Sequence, residues 1–356
     1  MENIKMDGVK WDSGDFSPEN LKRLLENGGP DLHAAAAAVT RRNYGGKLYF
    51  RALVEISSYC RNGCRYCGLR AGNPLSRRYR MDADEILRCC SEAASLGYRT
   101  FVLQGGEDPV QDDFWMESLV SRVRAEFPEC AITLSVGERS DLAYSRFRDA
   151  GADRYLLRHE TASEEHYRLL HPDSMSLENR KRCLEVLKSL GYQVGAGMMV
   201  GSPYQRTEDL VADFLFLKRL HPQMIGAGPF IPAAGTPFSN EPAGGILLTL
   251  RVLSILRLMF PHANIPATTA LASLVPPEDA VEAVRSILPG PLPAHGCCGD
   301  LLGLAAGANV IMTDFTPPQY REKYAIYDHK APSLHDLRRY EDAGWLISME
   351  RGDNFL

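Results

Sequence analysis

From residue 48 onward, short apolar and partly β-branched runs alternate with stretches whose apolar residues recur at helical spacing. The strand-like runs are 48–56, 100–103, 131–136, 154–157, 193–200, 224–227, 264–267 and 309–312. Helical patterns lie between them at 83–96, 114–127, 141–150, 177–190, 207–220 and 246–260, with 277–288 and 299–306 as a broken seventh. Gly97, Gly151, Gly191 and Gly307 each follow the end of a helical pattern, where a left-handed residue stops a helix. Eight strands separated by helices predict a parallel sheet, because each crossover must carry a helix back across it. Eight is also the number at which such a sheet closes. The predicted fold is therefore α/β, a (β/α)8 TIM barrel over 48–330; an open doubly wound sheet is the alternative. Residues 1–47 form an N-terminal helical extension, with a Ser17-Pro18 start and an Ala-rich helix at 31–42. The tail, 331–356, carries one more helix over 333–345, expected to pack on the barrel exterior or cap one end. The segment 276–300 is rich in proline and glycine and reads as an inserted helix and loop.

Composition narrows the partners more than the fold. Forty Lys and Arg against 45 Asp and Glu give a net charge of −5, which supplies no global basic field for nucleic acid or an anionic membrane surface. The most apolar stretch, 244–260, is interrupted by Arg251 and Arg257 and falls short of a membrane span. The N-terminus shows neither the basic patch nor the apolar run of a signal peptide, so the expected location is cytoplasmic.

The nine cysteines are an odd number in a long chain, and three of them fall within eight residues. A reducing compartment with one metal-type cluster accounts for that better than disulfides do. Cys60, Cys64 and Cys67 have the spacing C-x3-C-x2-C directly after the first strand, with Tyr66 before the last cysteine. A loop after a barrel strand opens at the C-terminal face, where such barrels place their chemistry. A structural zinc needs four ligands. A 4Fe-4S cubane has four irons, so three cysteines leave one iron open to a ligand that can accept an electron. The bland alternative is a zinc knuckle that borrows His159 as fourth ligand. Cys89, Cys90, Cys130 and Cys183 read as small core residues, and Cys297-Cys298 lies in the insertion.

Several strands end in polar or glycine-rich strings: Gln104-Gly105-Gly106-Glu107, Ser135-Val136-Gly137-Glu138, Arg158-His159-Glu160-Thr161, Met198-Met199, Thr268-Thr269 and Met312-Thr313-Asp314. Glycines permit close backbone approach, a carboxylate can bind an ammonium group or ribose hydroxyls, and an arginine can bind a carboxylate. Taken singly, Glu107 and Glu138 read equally well as helix caps, and the methionines as barrel filling. Their joint placement on one rim favours a ligand site. Arg51 and Arg158 lie in strand-forming runs, where a guanidinium is costly unless an anion accompanies it.

The strings VEISSYCRNGCRYCGLRAGN, LQGGEDP, TLSVGE, AGADRYLLRHETA, VGAGMMVG, GPFIPAAGTP, NIPATTA and GANVIM together resemble the radical S-adenosylmethionine (radical SAM) FeFe-hydrogenase maturase family, HydE, over 47–324. The resemblance implies one 4Fe-4S cluster on Cys60, Cys64 and Cys67, whose open iron chelates S-adenosylmethionine. It implies Gln104, Gly105, Gly106 and Glu107 at the methionyl amino group, Arg180 at the carboxylate and Glu160 at the ribose. Ser135, Met199 and Tyr320 belong to the same cofactor site. Arg51, Arg158, Thr268 and Thr269 match an anion site deep in the family's barrel that holds the carboxylate of a cysteine-derived or iron–cysteine substrate. Implied partners are a reductant such as ferredoxin or flavodoxin and the other hydrogenase maturases. In three respects the chain departs from relatives: no cysteine after 324 for an auxiliary cluster, a longer insertion at 276–300, and glycine at 105 where some have serine. The same chemistry on another substrate, as in methylornithine synthase or biotin synthase, is the alternative function. A non-enzymatic iron–sulfur carrier or zinc scaffold is a third.

Overall fold

The computed structural model describes residues 14–291, 298–328 and 336–354. The strands are β1 (Lys47–Ser57), β2 (Thr100–Gly105), β3 (Ala131–Ser135), β4 (Arg154–Leu156), β5 (Gln193–Ala196), β6 (Met199–Val200), β7 (Met224–Ile225), β8 (Gly228–Pro229), β9 (Val310–Asp314) and β10 (Leu346–Ser348). A parallel ladder runs β1-β2-β3-β4-β5-β7, and β9 pairs in parallel with the other edge of β1. The gap between β7 and β9 is spanned by two parallel bridges, Met224 with Asn264 and Pro266 with Val310, so the ring closes.

The expected seventh strand is thus reduced to isolated bridges. Pro266 has no N–H to give a ladder, and side chains take over neighbouring bonds: Asn309 Oδ1 accepts from Ile265 N at 2.8 Å. The expected fifth strand breaks at Gly197, where φ is +153° and a Cβ would lie 1.9 Å from the Gly226 carbonyl oxygen. Beyond this contact the chain pairs again as β6 with β8. Helices fill the crossovers as the pattern predicts, with unforeseen short ones at Glu164–Leu170, Thr269–Ala272 and Pro318–Arg321. No described helix is long and apolar enough to cross a membrane.

Alternation along the strands divides the two faces of the ring. In β1 the residues Leu48, Phe50, Ala52, Val54 and Ile56 join one apolar core, together with Phe101 and Leu103 of β2, Ile132 and Leu134 of β3 and residues of the surrounding helices. Arg51, Glu55 and Ser57 take the opposite face of β1, and Thr133 and Arg154 do so in β3 and β4. The apolar core therefore lies between ring and helices, while the inside of the ring carries polar side chains among apolar ones such as Leu53 and Val102.

The tail behaves differently from a simple outer helix. A helix, Arg338–Asp342, is followed by β10, which pairs with the start of β1 in the register Lys47 with Leu346. Residues 351–354 then cross the lower end of the ring, bonding to the first residues of successive strands. The Arg351 carbonyl accepts from Arg154 Nη2 at 2.7 Å, the Gly352 carbonyl from Asn264 at 2.8 Å, and Gln193 from Asn354 N at 3.0 Å. The residues that cross this end of the ring thus follow the expected tail helix rather than belong to it. The start of the expected tail helix, 333–335, lies outside the described residues, as does Cys297. Cys298 is buried, and nearby Asp300 accepts from Arg339 at 2.8 Å and Tyr340 at 2.7 Å.

Candidate active site

The upper, C-terminal end of the ring is built around the loop that leaves β1. Gly106 brings β2 against it: a Cβ there would lie 2.3 Å from the Tyr59 carbonyl oxygen and 2.6 Å from Cys60 Cβ. Asn73 donates to the carbonyls of Gly68 at 2.8 Å and Ala234 at 2.9 Å. Arg78 donates to the carbonyls of Ser58, Leu69 and Arg70. These bonds fix the loop from inside.

Cys60, Cys64 and Cys67 are free thiols, each half-buried. Burial pushes the Cys67 thiol up to about 12, and the charge of Cys60 adds to this. The Cys64 thiol is raised by burial and then by Cys67 and Cys60, and the Cys60 thiol by burial. Burial disfavours all three thiolates, with neighbouring cysteine charges adding to this at Cys64 and Cys67, and bound iron would supply the positive charge that offsets it. The donor set therefore fits an iron–sulfur cluster. Among the described residues, no group of three His, Cys, Asp or Glu side chains converges as the ligands of a single ion would. His159, the fourth ligand of the zinc alternative, is fully buried with both ring nitrogens engaged, by Asp213 at 3.2 Å and by Gly197 N at 3.3 Å.

Beside the loop, the ends of β2 and β3 lock together. Glu107 is buried and accepts from Arg61 at 3.0 Å and from Glu138 N at 2.8 Å. Gly137 makes room for it, since a Cβ there would lie 2.2 Å from Glu107 Cγ and φ is +76°. Gln104 bonds to the Tyr324 hydroxyl at 3.3 Å, and Gln104, Gly105, Gly106 and Ser135 are partly exposed at the strand ends. Across the mouth, Arg180 donates through Nε to Glu138 at 2.5 Å and through Nη1 to the Arg158 carbonyl. Its Nη2 has no acceptor among the described residues. Arg158 Nη2 bonds Glu160 at 2.9 Å. Glu160 itself has φ +66°, a left-handed conformation that costs a non-glycine residue roughly 1–3 kcal/mol and that clusters at functional sites.

Met199 packs with Leu170, Phe230 and Phe238, and Tyr66 of the cysteine loop rests on that cluster. Tyr320, the other residue expected to flank the cofactor site, stacks on Tyr79 at 4.8 Å and donates to Glu85 at 2.6 Å.

Deeper in the ring, Arg51 is 3% exposed; its Nη1 touches Met224 Sδ at 3.2 Å, and Nε and Nη2 have no hydrogen-bond partner. Burial and the nearby Arg154 pull its pKa well below the usual guanidinium range. Thr133 Oγ1 and Arg158 Nε are likewise buried without partners. A buried guanidinium with idle donors is complementary to an oxyanion. Thr268 lies against Gly228, where a Cβ would come within 2.4 Å of its Oγ1, and Thr269 Oγ1 is 2.6 Å from the Tyr327 hydroxyl. Sequence reasoning missed Tyr327, which lies in no motif and reaches the site by a 58-residue return of the chain. It also missed Asp213, which lies on the interior face of an ordinary amphipathic helix.

Residues 54–217 match the family model described as the radical SAM superfamily. The chain is 41% identical over 327 residues to the [FeFe] hydrogenase maturase subunit HydE of Thermotoga maritima, covering 90% of this chain and 86% of that protein. The crystal structure of methylornithine synthase superposes with a TM-score of 0.76 at 25% identity, over 94% of both chains. That of HydG, a maturase of the [FeFe]-hydrogenase, superposes with a TM-score of 0.75 over 94% of this chain and 73% of that one; at 19% identity it shows a common fold. With its cysteine loop at the mouth of a closed parallel barrel, this chain is a radical SAM enzyme and belongs to the HydE family of hydrogenase maturases.

Proposed function

We propose that this enzyme reductively cleaves S-adenosylmethionine to a 5′-deoxyadenosyl radical and directs it at a small cysteine-derived, iron-bound substrate during maturation of the FeFe-hydrogenase H-cluster. The observation that carries this reading is the pairing of three free thiols at the barrel mouth with a buried guanidinium, Arg51, whose Nε and Nη2 have no hydrogen-bond partner inside the barrel. Cys60, Cys64 and Cys67 hold one 4Fe-4S cluster. Bound there, the cluster supplies one electron through an iron that no cysteine ligates.

The chain's own residues position the two organic partners. The strand ends Gln104–Gly106 and Ser135 face the methionyl amino group. Glu107 shapes that corner by holding Glu138 N and Arg61, since both its oxygens are already engaged. Arg180 offers Nη2 to the carboxylate while Glu138 fixes its orientation. Glu160 binds the ribose, and Met199 with Phe230 gives an apolar wall. Tyr320 supports the cysteine loop through Tyr79. Arg51, Arg158, Thr268 and Thr269, with Tyr327 behind Thr269, hold the substrate carboxylate. The enclosed ring interior, once filled, excludes bulk water, which protects a radical from quenching. A cytoplasmic ferredoxin or flavodoxin supplies the electron, and the other hydrogenase maturases deliver the substrate and receive the product.

The test is anaerobic incubation of reduced, iron-loaded protein with S-adenosylmethionine and candidate cysteine-derived carboxylates. A substrate of this class is expected to stimulate 5′-deoxyadenosine release. In Arg158→Ala the substrate concentration needed for half-stimulation should rise roughly tenfold or more, the loss expected for a charge-assisted hydrogen bond. The affinity for S-adenosylmethionine should change less. Because Arg158 also bonds Glu160, a loss of S-adenosylmethionine affinity is compatible with the assignment, whereas an unchanged substrate concentration for half-stimulation would contradict it, and stimulation by ornithine- or lysine-type amino acids alone would favour a mutase.

A further inference from the structure

Glu160 is one of three non-glycine residues with positive φ among the described residues. The backbone around it is held by partners from several elements. Its N donates to the Gly197 carbonyl at 3.0 Å, and its carbonyl accepts from Met199 N at 3.1 Å. These two bonds set the middle of the turn; on its flanks Arg180 holds the Arg158 carbonyl and Lys181 the Ala162 carbonyl at 3.1 Å, and Arg158 Nη2 bonds the Glu160 carboxylate at 2.9 Å. Residues on both flanks also meet one buried carboxyl group, whose pKa burial holds well above the usual aspartate range: Asp213 Oδ1, from the helix Thr207–Leu220, accepts from Ala162 N and lies 3.2 Å from His159 Nε2. The other imidazole nitrogen, Nδ1, accepts from Gly197 N at 3.3 Å. Because Nδ1 is the acceptor, the ring proton sits on Nε2 and points at Asp213. The pair is fully buried on both sides. Burial keeps the imidazole neutral, pulling its pKa down to about 3.

We infer that Asp213 and His159 are positioning residues that clamp the residues on either side of Glu160 and so hold its carboxylate in the strained geometry that binds the ribose. This inference rests on the proposed role of Glu160. Asp213 touches no part of the cysteine loop in the hydrogen bonds above, so its effect on the cofactor passes through the 159–162 turn. Without the clamp, a non-glycine residue at φ +66° relaxes toward an ordinary conformation and carries its carboxylate away. Both bonds go to Oδ1, and Oδ2 is buried without a partner, so asparagine can replace aspartate with its carbonyl in the same role.

The experiment is equilibrium binding of S-adenosylmethionine to iron-loaded protein, with iron content and melting temperature measured in parallel. Asp213→Ala is expected to weaken binding roughly tenfold or more, on the scale of the strain released, at unchanged iron content. Asp213→Asn should restore binding to within about threefold, a margin below one tenfold step. In a Glu160→Gln background, Asp213→Ala should add nothing further, because the carboxylate it positions is gone. His159→Ala gives the same reading if Asp213→Ala does not fold. The inference is overturned if Asp213→Ala and His159→Ala bind like wild type, if asparagine fails to rescue, or if the Asp213 and Glu160 losses simply add. Should Glu160→Gln alone bind like wild type, the ribose assignment is what falls, and the clamp falls with it.

Discussion

Replacing Cys60, Cys64 or Cys67 singly with alanine is expected to take iron and acid-labile sulfide to background after anaerobic reconstitution, and 5′-deoxyadenosine release with them. The physical reason is the ligand count. A cubane that leaves one iron open to S-adenosylmethionine already has the minimum of protein ligands, so removing one leaves two irons without a protein thiolate. The loss should exceed the roughly hundredfold that removing an outer hydrogen-bond partner of a metal ligand costs. The fold is expected to survive. The thiols are half-buried on a loop held by Asn73 and Arg78, whose bonds do not involve the sulfurs. Melting temperatures of the cluster-free variants and cluster-free wild type should therefore agree, as for substitutions worth about 0.5 kcal/mol or less. Full iron content and undiminished S-adenosylmethionine cleavage in any of the three variants would contradict the assignment.

The second large effect is on stability, at the other end of the barrel. Arg154 is fully buried, and Asp353 Oδ1 lies 2.6 Å from its Nη2 and 2.8 Å from Gln193 Nε2. Asp353 Oδ2 also accepts from Arg351 at 2.8 Å. Removing the acid strands a buried cation, which costs about 3–5 kcal/mol in comparable pairs, and the lower figure suits a carboxylate that is itself partly exposed. Asp353→Ala should therefore lower unfolding stability at neutral pH by roughly 3 kcal/mol in urea or heat. The effect has a pH signature. Burial alone would raise the Asp353 pKa, but the bonds from Gln193 and Arg154 outweigh it and hold it below 3.8. An acid whose folded pKa is depressed contributes stability that is present above its unfolded value and lost as pH falls through its folded one. The gap between wild type and Asp353→Asn should thus be full at neutral pH and close below about pH 4, near the unfolded aspartate value. A variant as stable as wild type at pH 7 would show that the Asp353–Arg154 pair contributes nothing to holding the tail on the ring.

Much of this fold can be read from periodicity because the staves are apolar on one face and the crossovers carry capped helices. Where the reading failed, side chains rather than pattern set the structure. The seventh stave looked like a strand, yet Pro266 and the Asn309 amide reduce it to bridges. β10 is three residues long, too short for any period, and what seats the tail is a set of polar bonds to Arg154, Gln193 and Asn264, far away in sequence. In the candidate site, the cysteine spacing pointed to one loop, and the structure places it at the mouth of the ring. Arginine in a strand pointed to an anion, and Arg51 is found with idle donors. What the sequence did not reveal is division of labour: Glu107 is already spent on Arg61 and Glu138, Tyr320 on Tyr79 and Glu85. The left-handed turn at Glu160 also left no mark, since glutamate rarely adopts it and its supports come from other elements.

The most direct measurement is electron paramagnetic resonance of the dithionite-reduced, iron-loaded protein, recorded without and with S-adenosylmethionine. One reduced 4Fe-4S signal that changes shape when S-adenosylmethionine is added, and is lost in the cysteine variants, is the expected result. A signal that stays the same at saturating S-adenosylmethionine would mean that no iron is open to it, and would contradict the account.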